Sequence, residues 1–413
     1  KYNKDYKVKT LESAFESKQL DISYYAMWPG LNANGGITKR SNELGSSSRS
    51  IITRNQSLEE STSTDKELHT SEVRVSWNAL DFGLSYVRAK QQADKLLISQ
   101  ERARKISNQI QQEVRESYWK AVSAQNLLNQ IDPVIADVQK SLSESKQLEQ
   151  ERLGNMMETL TYRRELLDVL LSLQLLKKDL LTAKPKLAVL MGLAPGTKFT
   201  LSDKIDGSMI KKLELNINNL EKTAFENRPE LMESRYQSRI SLAETKASML
   251  SFFPGVSFDT GYNYTSNSYT TNNTWFDYGV HVNMNLFKVF SAGDIMDRSK
   301  MGEEIAKQQQ LAVGMAVLTQ VYLADIRYNE AMEGWKSADE YYDVTKKIND
   351  ITEQQNFNSI GSKQRVARER LSQLLANVKR DMAFAELQNS YGNLFVSVGL
   401  EQNGVSAKML GSK

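Results

Sequence analysis

The sequence is poor in the residues that catalytic and metal sites require. Its 413 residues include no cysteine and only two histidines, His69 and His281. Without cysteine there is neither a disulfide framework nor a thiolate metal site. Zinc sites and Ser-His or Cys-His nucleophiles draw on the same residue types, and no glycine-rich phosphate loop is present. We therefore expect no catalytic, cofactor-binding or metal-binding residues, and a protein that is not an enzyme.

Long hydrophobic runs and an excess of one charge are missing as well. No stretch of about 18 consecutive apolar residues occurs, so the sequence offers no transmembrane helix. The formal net charge is only +3. Lysine and arginine alternate with aspartate and glutamate along the expected helices, as on solvated helix faces. This balance does not favour nucleic acid as a partner.

Only six prolines are present, and they mark expected breaks in the chain. Pro29 and Pro254 lie at expected helix-to-strand junctions. Pro133 is expected to end one helix and begin another, because proline suits the first turn of a helix but disfavours helical geometry in the residue before it. Pro185 lies inside an apolar helical segment, which it should kink.

What the chain does contain is an internal repeat of roughly 200 residues, too long for a solenoid unit. Residues 27–31 read MWPGL, and residues 252–256 read FFPGV. After each comes an alternating segment, a polar loop and a second alternating segment, at 73–78 and at 280–285. Each second segment leads into a very long helical stretch. This order indicates a duplicated half-protein.

The helical stretches are unusually long for a globular protein. They are expected at about 84–131, 134–152, 156–191, 229–251, 294–356 and 363–398. The two longest helical paths, each of about 70 residues, would be on the order of 100 Å long. Such lengths favour coiled-coil or helical-barrel packing, in which neighbouring helices cover one another. On the helices alone, a soluble structural coiled-coil scaffold is an equal alternative.

The alternating segments weigh against that scaffold. In 256–264 and 278–286, apolar residues alternate with small or polar ones. A soluble half-buried sheet has this pattern, and so does a transmembrane strand with lipid on one face and a water-filled lumen on the other. Strands of about ten residues can cross a bilayer at a tilt. Because four strands cannot close and open edges are not tolerated in lipid, a membrane protein would have to pool strands from several copies.

The ends and connections of these segments fit the membrane interpretation. The loop at 39–70 is long, the loop at 265–274 is short, both are polar, and both lie on the same side of the strands. Outer-membrane barrels have long loops on one side and tight connections on the other. Aromatic residues cluster at the strand ends, as in interfacial girdles: Trp28, Phe252, Phe253, Trp275, Phe276, Phe287 and Phe290. Aromatic core packing is the alternative.

In the order and spacing of its segments, the chain resembles the TolC-like outer-membrane factor family. The matching segments are 28–30 and 253–255 at the strand entries, 227–231 (NRPEL) before a helix, 77–83 and 285–287 at the strand exits, and 190–193 (LMGL) at a helix end. The resemblance implies a mixed α and β membrane protein with an internal two-fold repeat. In a homotrimer, four strands per chain would form a 12-stranded outer-membrane β-barrel continuous with a long periplasmic α-helical barrel.

The resemblance also implies a division of the chain. The first structural repeat is expected at 1–193, with a helix, strands near 30–38 and 72–80, and long helices to 191. An equatorial segment at 194–228 follows. The second structural repeat is expected at 229–400, with strands near 255–265 and 276–287 and long helices to 398, and a C-terminal tail at 401–413.

A passive role in export follows from the same resemblance. The protein would be the exit duct of a tripartite system in the bacterial outer membrane, extending into the periplasm. Its partners would be outer-membrane lipid, a periplasmic adaptor (membrane fusion) protein, and an inner-membrane pump or ABC transporter, with no nucleic acid and no cofactor. Multidrug efflux and type I secretion both remain open.

The turns between the long helices are the expected contact points for the adaptor. They lie about 70 residues from the strands and so mark the far tip of the helices. In the family the corresponding turns meet the hairpin tips of the adaptor, although plain αα-hairpin loops are the alternative. The expected adaptor contacts are Arg152, Leu153, Gly154, Asn155, Ile360, Gly361, Ser362 and Lys363.

The tunnel is expected to narrow at the same tip. A side chain that points inward there is repeated in every copy and becomes a ring of charge that sets selectivity. Some family members have aspartates just past the second turn, but this sequence has arginines there and on the partner helix. The candidates for a basic or mixed periplasmic gate are Arg163, Arg164, Arg365, Arg368 and Arg370. The alternative is that they face outward and pair with Glu165 or Glu369.

Overall fold

The computed structural model describes residues 3–56, 59–150, 156–201, 216–354 and 360–400. Within these ranges the chain forms α1 (Lys4–Tyr25), β1 (Gly30–Lys39), β2 (Glu67–Asn78), α2 (Ala79–Gln150), α3 (Met156–Leu190), α4 (Ile217–Asn227), α5 (Pro229–Leu250), β3 (Gly255–Thr265), β4 (Thr274–Asn283), α6 (Phe287–Phe290), α7 (Ala292–Gln354) and α8 (Ile360–Ser397). None of the helices in the described part combines the length and the apolar character needed to cross a membrane.

The strands of the described residues form one four-stranded antiparallel sheet in the order β1-β2-β3-β4. Its register aligns the apolar positions of all four strands on one face: Leu31 lies opposite Val75, and Phe258 lies opposite both Trp77 and Val280. The alternation predicted from the sequence is therefore confirmed, because residues two apart in a strand share a face. In the single chain this apolar face is exposed.

The strand boundaries differ in part from those predicted. β2 begins at Glu67 rather than near 72, because its polar first residues pair with β1, Glu67 opposite Lys39. β4 ends at Asn283 rather than near 287. There the Asn285 side-chain oxygen accepts a hydrogen bond from the Phe287 backbone N–H at 3.1 Å. Such an asparagine cap starts a helix, and the short helix α6 follows.

An asparagine cap also starts α2, which begins earlier than predicted. The Asn78 side-chain oxygen accepts hydrogen bonds from the backbone N–H groups of Leu80, at 2.9 Å, and Asp81, at 3.2 Å. These bonds satisfy N–H groups that have no partner within the helix. The helix therefore begins at Ala79, directly after the strand, and not at the predicted position 84.

The prediction that Pro133 ends a helix was wrong. α2 runs without interruption from Ala79 to Gln150 and contains this proline. Proline removes one helical hydrogen bond, but the apolar side chains on either side of it, Ile131 and Val138, are buried in the core. Packing of this stripe outweighs the local preference. Pro185 lies inside α3, as predicted.

The chain divides into two compact units, each drawing on both halves of the sequence. Unit 1 comprises 1–12, 99–234 and 310–413, and unit 2 comprises 13–98 and 235–309. The core of unit 1 includes Leu127 and Leu173, which join α2 to α3. It also includes a cluster of α4, α7 and α8 side chains around Leu220, Val321 and Phe395. Unit 2 contains the sheet.

Helix α4 lies within the predicted equatorial segment, where no helix was expected. The Asn216 side chain caps it by accepting a hydrogen bond from the Asn218 N–H at 3.0 Å. Leu220 and Ala224 are buried one turn apart on a single face of the helix. A short helix of this kind is held mainly by such packing, since isolated helices of about this length are marginal in water.

Candidate functional site

The polar face of the sheet carries a cluster of charged side chains centred on Arg74. The register places Arg74 of β2 opposite Gly261 of β3, which lies opposite Asp277 of β4. Asp259 of β3 lies opposite Gly279 of β4. These residues share one face, because directly opposed residues of an antiparallel pair point the same way. The cluster therefore joins three neighbouring strands.

Arg74 donates to carboxylates on all three strands. One terminal nitrogen donates to Asp259 Oδ2 at 2.6 Å, and the other donates to Asp277 Oδ2 at 2.7 Å. Its Nε donates to Glu72 of the same strand. The planar fork of a guanidinium suits several carboxylates at once. On the edges of the cluster, Asn263 donates to Asp277 at 3.2 Å, and His281 Nε2 lies 3.0 Å from Asp259 Oδ1.

Glycines leave the room that this cluster occupies. A Cβ atom on Gly261 would lie 2.7 Å from Asp277 Oδ1 and 3.1 Å from Arg74 Cζ. A Cβ atom on Gly279 would lie 2.6 Å from Asp259 Oδ1. Real Cβ atoms do not come so close to other atoms, so a larger residue at either position would force the ends of the charged side chains to shift.

The predicted adaptor contacts are only partly within the described residues. Arg152, Leu153, Gly154 and Asn155 lie outside them. The backbone of Ile360, Gly361, Ser362 and Lys363 forms the first turn of α8, which begins at Ile360 rather than at 363. These four residues, predicted to form the second turn, are therefore helical. Their role as adaptor contacts stays a prediction.

The five predicted gate arginines do not share one environment. Arg163 of α3 donates to Glu149 of α2 at 2.5 Å. Arg368 of α8 lies 3.3 Å from Glu165 of α3, which is the pairing that we considered as the alternative to a gate role. Arg164, Arg365 and Arg370 are exposed, and in the described part of the chain they form no ion pair. The gate role itself stays a prediction.

The NRPEL segment at 227–231 has a structural role within unit 1. Arg228 is almost fully buried; it donates to the Val396 carbonyl of α8 at 2.9 Å and lies 3.1 Å from Glu230. It also donates to Gln320 of α7. Burial lowers the pKa of Arg228 and raises the pKa of the nearby Glu101 carboxyl on α2. The contacts of Arg228 thus hold the start of α5 against α7 and α8.

Comparison with known proteins rests on structure. No protein-family model matches the sequence, and the curated proteins contain no match. The open MtrE outer-membrane channel of Neisseria gonorrhoeae has a TM-score of 0.74 at 13% identity, covering 97% of this chain and 86% of that one. CusC, which forms a transmembrane channel, has a TM-score of 0.72 at 14% identity, covering 97% and 90%.

The CmeC outer-membrane channel of Campylobacter jejuni has a TM-score of 0.69 at 14% identity, covering 99% of this chain and 86% of that one. The chain has the fold of the outer-membrane factor channels. The resemblance seen in the sequence is confirmed at the level of the fold.

Sequence reasoning did not find the Arg74 cluster. The alternation places Arg74, Asp259 and Asp277 on polar faces of three separate strands. Only the register shows that they meet, because a slip of one residue would send each of them to the opposite face. The available signal was the pairing of glycine with aspartate along the strands, Asp259 and Gly261 in β3 and Asp277 and Gly279 in β4.

Proposed function

We propose that this protein is the exit duct of a bacterial tripartite export system, located in the outer membrane and extending into the periplasm. It is a passive conduit and not an enzyme, since the energy for export comes from the pump. The observation that carries this proposal is the two-faced sheet: an exposed apolar face on one side and the Arg74 cluster on the other.

The apolar face has the character of a surface made for lipid. Tyr278 of β4 is 81% exposed, Val280 is 65% exposed and Ile37 of β1 is 70% exposed. A soluble sheet buries such a face against a core. A contiguous exposed apolar surface marks a protein or membrane interaction site. The polar face, with its charges and glycines, matches the lumen side of a membrane barrel.

The sheet of one chain cannot be complete in a membrane. Within the described residues, β1 and β4 each have one edge without a partner strand. Unpaired edges are not tolerated in lipid. In the proposed homotrimer, β4 of one copy pairs with β1 of the next, which gives a 12-stranded barrel. The helices of the three copies then form the periplasmic α-helical barrel, and the two hairpins with their long helices form the two-fold repeat.

The proposed partners follow from this arrangement. The tip residues at 152–155 and 360–363 dock a periplasmic adaptor, and an inner-membrane pump or ABC transporter supplies the cargo. The exposed arginines Arg164, Arg365 and Arg370 are the proposed contributors to a basic gate at the tip. Multidrug efflux and type I secretion share this design, because the pump selects the cargo.

Fractionation of cells that produce the protein with an export signal tests the proposal. We expect the protein in the outer-membrane fraction, soluble only in detergent, with chemical cross-linking that traps three copies. Recovery from the soluble fraction as a monomer or as a rod-shaped dimer would instead support the coiled-coil scaffold. Co-purification with an adaptor, lost when residues 360–363 are replaced by alanine, tests the docking role separately.

A further inference from the structure

The polar face of the sheet carries more negative than positive charge. The four strands lie wholly within the described ranges, and their polar-face charges are the carboxylates of Glu72, Asp259 and Asp277 and the guanidinium of Arg74. One guanidinium against three carboxylates leaves a formal charge of −2 per chain while His281 is neutral. The remaining residues of this face are uncharged.

The other charges of the strands lie on the opposite face. Lys39 of β1 and Glu67 of β2 pair with each other there at 2.8 Å, and His69 lies 3.6 Å from Glu67. The charges of Lys39 and Glu67 offset each other, since lysine is a cation and glutamate an anion. Of the two faces, the polar face is therefore the one that carries a net charge. While His281 is neutral, the guanidinium of Arg74 is the only positive charge on this face of the described strands.

The geometry keeps these charges together on the polar face, and Asp277 is the most exposed of them. Arg74 holds Asp259 and Asp277 within 2.7 Å of its terminal nitrogens. The glycines at 261 and 279 have no side chains to cover them. The Asp277 side chain keeps 41% of its surface exposed. Charges in such a position act on ions that pass along the face.

We propose that Arg74 and the carboxylates around it determine the ion selectivity of the membrane section of the duct, and that they make it favour cations. This inference rests on the proposed function, since only in a barrel does the polar face line a channel. Each copy contributes the same cluster, so the carboxylates recur as a ring of negative charge, the arrangement that selects for cations in pores. Arg74 limits the strength of that ring.

The effect is one of an electrostatic field and not of a bound ion. In the described part of the chain, no group of three or more histidine, cysteine, aspartate or glutamate side chains is arranged to hold a metal. Arg74 itself occupies the centre of the cluster. Cations are therefore enriched along the face without being held, which suits a conduit, because cargo must leave again.

The expected size of the effect follows from simple electrostatics. A unit charge about 8 Å from an ion in water changes the local concentration of that ion by roughly twofold before screening. Dilute salt preserves much of this effect, and salt near 1 M removes it. Since each substitution is repeated in every copy, one substitution should change the permeability ratio of potassium to chloride by about two- to fivefold in dilute salt.

Reversal potentials in planar lipid bilayers under a potassium chloride gradient provide the test. Because the reversal potential also includes the gate at the tip, the shift relative to the parent protein is the readout. We expect Asp277→Asn and Glu72→Gln to lower the potassium-to-chloride ratio below that of the parent, and Arg74→Gln to raise it. The matched control is Glu67→Gln, which removes a carboxylate from β2 on the opposite face. It should leave the ratio unchanged, and all differences should shrink in concentrated salt.

Two outcomes would overturn the inference while leaving the duct intact. One is a channel whose permeability ratio is the same in the parent, Asp277→Asn and Glu72→Gln. The other is an equal shift for Glu67→Gln, which would show that face does not matter. If Arg74→Gln fails to assemble, the two carboxylate variants still decide, because both keep the arginine. Failure of the parent protein to form any channel would instead contradict the proposed function.

Discussion

A single charge placed on one face or the other of β4 should decide whether the sheet faces lipid. Val280 and His281 are neighbours in β4 and therefore point to opposite faces at nearly the same depth. Val280 belongs to the apolar face, opposite Phe258, and His281 belongs to the polar face, opposite Ser257. The paired substitutions Val280→Arg and His281→Arg thus differ in face and in little else.

The magnitude depends on depth in the membrane. An arginine on the lipid face of a barrel costs about 2–4 kcal/mol at the bilayer midplane and about 0–1 kcal/mol near the interfaces. Val280 lies between the middle of β4 and its end at Asn283, so we expect about 1–3 kcal/mol per copy. Three copies would lose about 3–9 kcal/mol per trimer. His281→Arg should cost little, since Asp259 already faces that position at 3.0 Å.

The assay is the fraction of protein that remains as a heat-resistant oligomer in detergent after extraction from the outer membrane. Val280→Arg should lower the temperature at which the oligomer dissociates, and His281→Arg should leave it close to that of the parent. Equal loss in both variants would refute the assignment of faces. Unchanged stability in Val280→Arg would refute the contact with lipid.

Three further predictions concern the helices. Gly392→Ala in α8 should destabilise unit 1 by about 1–3 kcal/mol in denaturant titrations, because the new Cβ would lie 2.8 Å from Arg115 Cδ and 2.6 Å from Gln112 Oε1. The control is Gly334→Ala in α7, where nothing lies within 4 Å of the Cβ position. This control should raise the free energy of unfolding by about 0.5–1 kcal/mol, because alanine has a better helix propensity than glycine. Arg228→Met should cost about 1–3 kcal/mol, because it leaves the Val396 carbonyl and Gln320 without the donor that Arg228 provides, while Glu230 keeps Lys105 as an ion-pair partner at 3.5 Å. A denaturation midpoint equal to that of the parent would contradict the role given to the NRPEL segment. Burial raises the pKa of Asp381, so the folded state binds this proton more tightly than the unfolded state. The free energy of unfolding should therefore fall as pH rises from the ordinary aspartate pKa through the raised one. Asp381→Asn should flatten this dependence of stability on pH in urea titrations, and an unaltered dependence would contradict the assignment to Asp381.

The architecture could be predicted because its signals are periodic and local. The alternation at 256–264 identifies β3 without any knowledge of its neighbours, since period two is a property of one strand. The long helical stretches and the repeated Pro-Gly entries then fix the order of elements. That order was enough to recognise the fold, although no single motif was specific.

The errors arose where packing decides against a local preference. Pro133 favours a helix break in isolation, yet buried apolar neighbours in α2 keep the helix continuous. Helix α4 was not predicted because its buried stripe is short, Leu220 and Ala224. The Arg74 cluster depends on pairing between strands distant in the sequence, which a single chain without its register does not reveal.

The pairing of β2 with β3 has a consequence for biogenesis. Arg74 and its partners Asp259 and Asp277 are separated by 185 and 203 positions along the chain. During synthesis the first hairpin therefore emerges long before the strand that will flank it. Until then, the unpaired edge of β2 and the apolar face of the hairpin are exposed to incorrect partners. In the proposed outer-membrane location, a chaperone that shields the first hairpin would be most needed during this interval, and contacts so far apart in sequence make folding slow.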